Sequence, residues 1–105
     1  MKQFMIRYRR ANADAETWHR DIATFIAAID SDPELRGRIG YRVMRLGGGG
    51  DDYLHIATPA DDQAVKTLQS RDFFKRYNER TRAVAADGKV DVTGLELIGE
   101  TSGRV

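Results

Sequence analysis

Imidazole is the side chain whose ordinary pKa lies closest to neutrality, so the two histidines, His19 and His55, are the first places to look for proton chemistry. His55 sits in Tyr53-Leu54-His55-Ile56-Ala57-Thr58. That alternation reads as a strand with Leu54 and Ile56 on one face and Tyr53, His55 and Ala57 on the other. The first strand offers a second chemical group, Arg7, on a face shared with Met5 and Arg9. With the two strands side by side, Arg7 and His55 form a candidate catalytic pair. A neutral imidazole, kept so by burial beside a guanidinium, takes a proton from a phenol or an enolisable carbonyl. Arg7 then holds the resulting oxyanion through its fixed fork of donors. Met5, Arg9, Tyr41 and Tyr53 are expected to line the pocket around them. The competing assignment has His55 hydrogen-bonded across a subunit interface, Arg7 paired with Glu96 or an aspartate, and the tyrosines packed in that interface.

The elements that must position these residues follow from periodicity. Residues 3–10 alternate, with Phe4, Ile6 and Tyr8 on one side. Asn12 or Asp14 can cap a helix whose buried stripe is Trp18, Ile22, Phe25, Ile26 and Ile29. Asp30-Ser31-Asp32-Pro33 stops it, and Asp32, Pro33 and Gly37 frame a short helical turn. A second strand over residues 39–46 leads through Gly47-Gly48-Gly49-Gly50-Asp51-Asp52 into the His55 strand as a hairpin. The glycine run lacks the Lys-Ser/Thr and the following helix of a phosphate loop, and reads as a hairpin tip. Thr58, Pro59 and Asp61 are expected to start the next helix in a capping box. Val65 and Leu68 face inward; Ser70 marks a break, and Phe73, Tyr77, Thr81 and Val84 resume the stripe. Asp87-Gly88 ends it, and residues 89–98 read as the last strand, with Gly94 at a bulge.

Strand, helix, hairpin, helix, strand predicts an α+β, ferredoxin-like βαββαβ fold. It has a four-stranded antiparallel sheet with both helices on one face, and strands one and three are central. Phe4, Ile6 and Tyr8 are expected to join Leu54 and Ile56 beneath the helices. The face carrying Met5, Arg7, Arg9, Tyr53 and His55 is then left open. The 105 residues suit a single domain spanning 1–105. A net charge of +1 selects neither nucleic acid nor a membrane surface, and the absence of cysteine excludes thiolate catalysis and cysteine-based metal sites. His19 reads as solvated, Ser70 as a cap, and Lys75, Arg76, Arg80 and Arg82 as a solvated basic face. Asp51-Asp52 at the start of the third strand places acid where an RNA-recognition strand needs base. Nothing at the amino end reads as a signal peptide, and no run of about 20 apolar residues is present, so a cytoplasmic protein is expected.

Several segments together resemble the dimeric α+β barrel superfamily, and within it the antibiotic biosynthesis monooxygenase-like proteins. These are Gly40-Tyr41-Arg42-Val43-Met44-Arg45, Tyr53 to Thr58, Ser70-Arg71-Asp72-Phe73-Phe74-Lys75-Arg76-Tyr77 and Leu95-Glu96-Leu97-Ile98. The resemblance implies a homodimer in which two sheets face one another and enclose the open face as a barrel pocket around Arg7, His55 and Tyr53. It also implies oxygenation of a small aromatic or quinol without a cofactor, through a substrate carbanion that reacts with dioxygen. Its haem-degrading members fit poorly. They place a histidine near Tyr77, a tryptophan near Thr67 and an asparagine where Met5 or Arg7 stands, although tyrosine ligation of haem iron stays open. The alternative is a non-catalytic homodimer that binds a small ligand or is purely structural.

Overall fold

A computed structural model describes residues 2–103. The strands are β1 (Lys2–Arg9), β2 (Ile39–Arg45), β3 (Asp52–Pro59) and β4 (Asp91–Glu96). The helices are α1 (Ala15–Ser31), α2 (Asp62–Gln69) and α3 (Asp72–Val84). The sheet is antiparallel with order β2-β3-β1-β4, so the expected ferredoxin-like architecture and its central pair, β1 and β3, are present.

Asp14 caps α1, its carboxylate accepting from the Thr17 amide at 2.8 Å. From there Trp18, Ile22, Phe25 and Ile29 recur on one stripe, and all four are buried. The second helical region starts later than the capping-box reading has it. Pro59 completes β3 opposite Ile39, and Asp61 is the cap, accepting from the Ala64 amide at 2.8 Å. Proline suits a strand end because the missing N–H falls where the ladder stops. The break at Ser70 is real, but Ser70 closes α2 and Arg71 precedes α3. The last strand is shorter than residues 89–98, and its register with β1 runs unbroken through Gly94, so no bulge forms there.

The main correction concerns the faces of β3. In the β1–β3 ladder Ile6 stands opposite His55, Tyr8 opposite Tyr53, and Arg7 opposite Leu54. Directly opposed residues in an antiparallel pair point to the same side. Tyr53 and His55 therefore lie with Ile6 and Tyr8 on the helix-covered face, both fully buried, while Leu54 and Ile56 join Met5 and Arg7 on the open face. Apolar character alone misassigns this strand. The buried Tyr8 hydroxyl and His55 Nε2 are hydrogen-bonded to one another, and Trp18 and Tyr41 supply their further partners, which removes most of the cost of placing them inside. Leu54 and Ile56 stay half-buried on the uncovered side.

Candidate functional site

The inner face of the sheet carries a chain of polar aromatic groups. Trp18 Nε1 donates to the Tyr8 hydroxyl at 2.7 Å, and that hydroxyl lies 2.7 Å from His55 Nε2. On the other side of the ring, His55 Nδ1 lies 2.5 Å from the Tyr41 hydroxyl and 3.3 Å from that of Tyr77. The two phenol oxygens are 3.2 Å apart. Each member comes from a different element: Tyr8 from β1, Trp18 from α1, Tyr41 from β2, His55 from β3 and Tyr77 from α3.

Ring packing fixes these groups. Tyr77 stacks on Phe25 with centroids 3.8 Å apart and planes within 1°, and it lies against Trp18 at 5.8 Å. Tyr41 meets Phe25 and His55 edge-on at 5.2 and 5.4 Å. Such aromatic pairs contribute about 0.5–1.5 kcal/mol each beyond area burial and leave the hydroxyls little freedom.

Tyr41, His55 and Tyr77 line a cavity of about 330 Å³ between the sheet and the helices, with Gln69, Asn78, Thr81 and Arg82 as its other polar residues. Its remaining wall is mostly apolar, with Phe4, Ile6, Phe25, Leu68 and Phe74 among the lining side chains. Among the described residues Arg82 is the one cation in that lining, and no carboxylate shares it. The volume is at the small end of the range for ligand pockets.

Burial sets the protonation states. Desolvation pulls the His55 pKa down to about 4, so the ring is neutral at neutral pH. Desolvation pushes Tyr41 up to about 12, against the lowering effect of the Tyr77 hydrogen bond. Tyr8 and Tyr77 are raised further by the same cause. Tyr8, His55, Tyr41 and Tyr77 are therefore all uncharged at neutral pH.

The residues expected to surround His55 divide between two places. Tyr41 does meet His55, on the helix side of the sheet. Met5, Arg7 and Arg9 do not. Met5 and Arg7 stand opposite Ile56 and Leu54 on the open face, and Arg9 lies 3.8 Å from Asp51 with both side chains largely exposed. Arg7 and Arg9 line a separate, wider groove of about 380 Å³ with Asp52, Asp87, Lys89 and Asp91. Tyr53 borders that groove too. It stacks on Tyr8 at 5.4 Å, and its hydroxyl lies 2.7 Å from His19 Nε2. His19 is thus paired, not simply solvated.

Sequence reasoning places Tyr8, Trp18 and Tyr77 in the core by their periodicity but does not give them a polar role. A Trp and two Tyr on inward stripes, each with a polar atom needing a partner, are the signal available for it. Among the described residues no group of three or more His, Asp or Glu side chains is gathered closely enough to hold a metal ion. No helix among them is long and apolar enough to cross a membrane.

No protein-family model matches the chain, and no curated protein does either. Solved structures match it over nearly its whole length. The cofactor-independent oxygenase SnoaB from Streptomyces nogalater has a TM-score of 0.74 and 17% identity, covering 98% of this chain and 97% of its own. A structure described as an antibiotic biosynthesis monooxygenase has a TM-score of 0.75 and 10% identity, covering 94% of this chain and 100% of its own. Rv0793 from Mycobacterium tuberculosis has a TM-score of 0.74 and 12% identity, covering 96% and 98%. The chain has the ferredoxin-like α+β fold of the antibiotic biosynthesis monooxygenase-like structures.

Proposed function

We propose that this protein is a cofactor-independent monooxygenase acting on a small aromatic or quinol in the cavity between sheet and helices. The observation that carries the reading is a mostly apolar cavity, lined among the described residues by one arginine and no carboxylate, that meets Tyr41 and Tyr77 with a buried imidazole behind their hydroxyls. The shared fold with an enzyme described as a cofactor-independent oxygenase supports it.

An electron-rich phenol enters with its ring against the apolar wall. Its oxygen meets the tyrosine hydroxyls, or Arg82 where it is ionised. Both favour the anionic form of the substrate in a low-dielectric site. The electrons come from the substrate. A naphthol with hydrogen on the para carbon and one dioxygen give the para-quinone and one water, with one oxygen atom in each product. The protein's part is to bind, orient and desolvate the ring.

His55 suits proton abstraction less well than the strand pattern suggests. Burial favours the neutral ring and lowers its pKa to about 4, which makes it a weak base toward a phenol. It is better fitted to hold the tyrosines. Arg7, on the other side of the sheet, is not placed to touch the same substrate.

Oxygen consumption with a panel of naphthols and quinols tests the reading. Turnover with at least one of them, reduced on the order of a hundredfold in Tyr77→Phe or Tyr41→Phe, is expected. Absence of oxygen uptake with every member sinks it and leaves the ligand-binding alternative.

We also propose that a second copy of the chain covers the open face. That face carries Met5, Leu54 and Ile56 half-buried and Met44 41% exposed, and in the tail Leu97 and Ile98 are 47% and 86% exposed. Light scattering is expected to give a dimer. A monomer at micromolar concentration removes this part.

A further inference from the structure

We propose that the Trp18 indole N–H locks the His55 ring in its Nδ1–H tautomer, which makes the buried chain one-directional and aims a hydroxyl hydrogen into the cavity. The cavity then selects ring compounds that present an acceptor oxygen, a carbonyl or a phenolate.

The argument starts at the end of the chain that has no choice. Indole nitrogen donates and cannot accept. The Tyr8 oxygen therefore receives the Trp18 hydrogen at 2.7 Å. Among the described residues that hydroxyl meets one other polar group, His55 Nε2 at 2.7 Å. A phenol's own hydrogen lies near the ring plane, on the side its acceptor occupies. With Trp18 filling one side, the hydrogen points at Nε2, which must be bare to receive it. The opposite tautomer puts two hydrogens between Tyr8 and His55 or leaves the Tyr8 hydrogen without a partner in a side chain only 6% exposed. A buried donor in that state is costly enough to favour the first arrangement by about tenfold or more.

A neutral imidazole with Nε2 bare carries its hydrogen on Nδ1. That hydrogen goes to the Tyr41 oxygen at 2.5 Å, the nearer of the two phenols. Tyr41 and Tyr77 then have two hydroxyl hydrogens and one contact between them, at 3.2 Å. One hydrogen fills that contact. The other has no acceptor in the chain and faces the cavity that both rings line. With the other tautomer, Tyr41 donates to Nδ1 and Tyr77 to Tyr41, and these two hydroxyls offer the cavity only lone pairs.

The same logic stops proton relay. Moving a proton inward from the cavity requires every hydroxyl to reverse, and the last reversal asks Trp18 to accept. Trp18 is thus a positioning residue that makes the chain a donor and not a proton wire.

The tautomer can be read directly by heteronuclear NMR of the imidazole nitrogens in the intact protein. A protonated Nδ1 and a bare Nε2 on His55 are expected; a protonated Nε2 overturns the lock. In Trp18→Phe, which keeps an aromatic side chain and removes the N–H, the Nε2–H form should become detectable. An unchanged single tautomer would show that Trp18 does not set it. If that variant does not fold, the measurement on the unaltered protein still decides the tautomer.

The ligand preference rests on the reading of this cavity as the ligand site. It is tested with alpha-tetralone and tetralin, which share a shape and differ in the carbonyl. Binding of the ketone about tenfold tighter or more, with its carbonyl stretch shifted to lower frequency in the bound state, is expected. Equal affinities overturn the preference. Binding of neither removes the cavity as a ligand site for such rings, and with it the preference and the oxygenase reading, while the tautomer result stands by itself.

Discussion

The two histidines make the same kind of contact in different surroundings. His55 Nε2 and the Tyr8 hydroxyl are 2.7 Å apart, and so are His19 Nε2 and the Tyr53 hydroxyl. His55 is fully buried, with a second partner on its other nitrogen. His19 stands on the exposed side of α1. Both rings have lowered pKa values with desolvation as the first cause, and Arg45 and Arg10 add to the effect at His19. Distance alone therefore does not tell structural ornament from structural necessity. Depth does, because a hydrogen bond that water can replace is worth little, and one that water cannot reach is costly to break.

The largest separation between the two sites should come from truncation. His55→Ala opens a gap and strands the Tyr8 hydroxyl, and is expected to lower stability by about 3 kcal/mol or more in urea unfolding. His19→Ala should cost under about 1 kcal/mol in the same assay. Comparable losses at both positions would erase the distinction.

Acid should separate them next. The folded protein holds His55 neutral down to about pH 4, while the unfolded chain protonates it near its ordinary value of 6.5. Between those values the unfolded state binds more protons. The contribution is thus complete above pH 6.5 and is lost as pH falls toward 4, on the order of 3 kcal/mol in all. The urea midpoint should drop through that window, and the drop should persist in His19→Ala. A midpoint flat from pH 6.5 to 4 contradicts the burial of a neutral ring.

A smaller effect is expected on the other side of the sheet. Arg7→Ala should leave oxygen uptake far closer to the unaltered protein than the roughly hundredfold loss that follows removal of a true oxyanion donor. A loss of that size would return Arg7 to the site and require the substrate to sit on the open face.

Much of the fold is legible in the sequence because its signals are local. The four-step recurrence from Trp18 to Ile29, the alternation of residues 3–10 and the glycine turn each depend on neighbours in the chain. The inward side of β3 is not local. Leu54 and Ile56 look like core, and Tyr53 and His55 look like an exposed face, until Tyr8, Trp18, Tyr41 and Tyr77 are brought within hydrogen-bond distance from other elements. The pairing of His55 with Tyr41 was within reach because both sit on strands of one hairpin. The side of the sheet on which they meet depends on a one-residue choice of parity that the apolar pattern gets wrong. Arg7 keeps the open face that the alternation of β1 gives it, and it is His55 that the parity choice wrongly brings to its side.

A crystal structure with a bound quinone or phenol tests the central claim most directly. The ligand's ring is expected between sheet and helices, with an oxygen within about 3 Å of the Tyr41 or Tyr77 hydroxyl. A ligand seated instead on the open face beside Arg7, with the helix-side cavity filled by its own side chains, would contradict it.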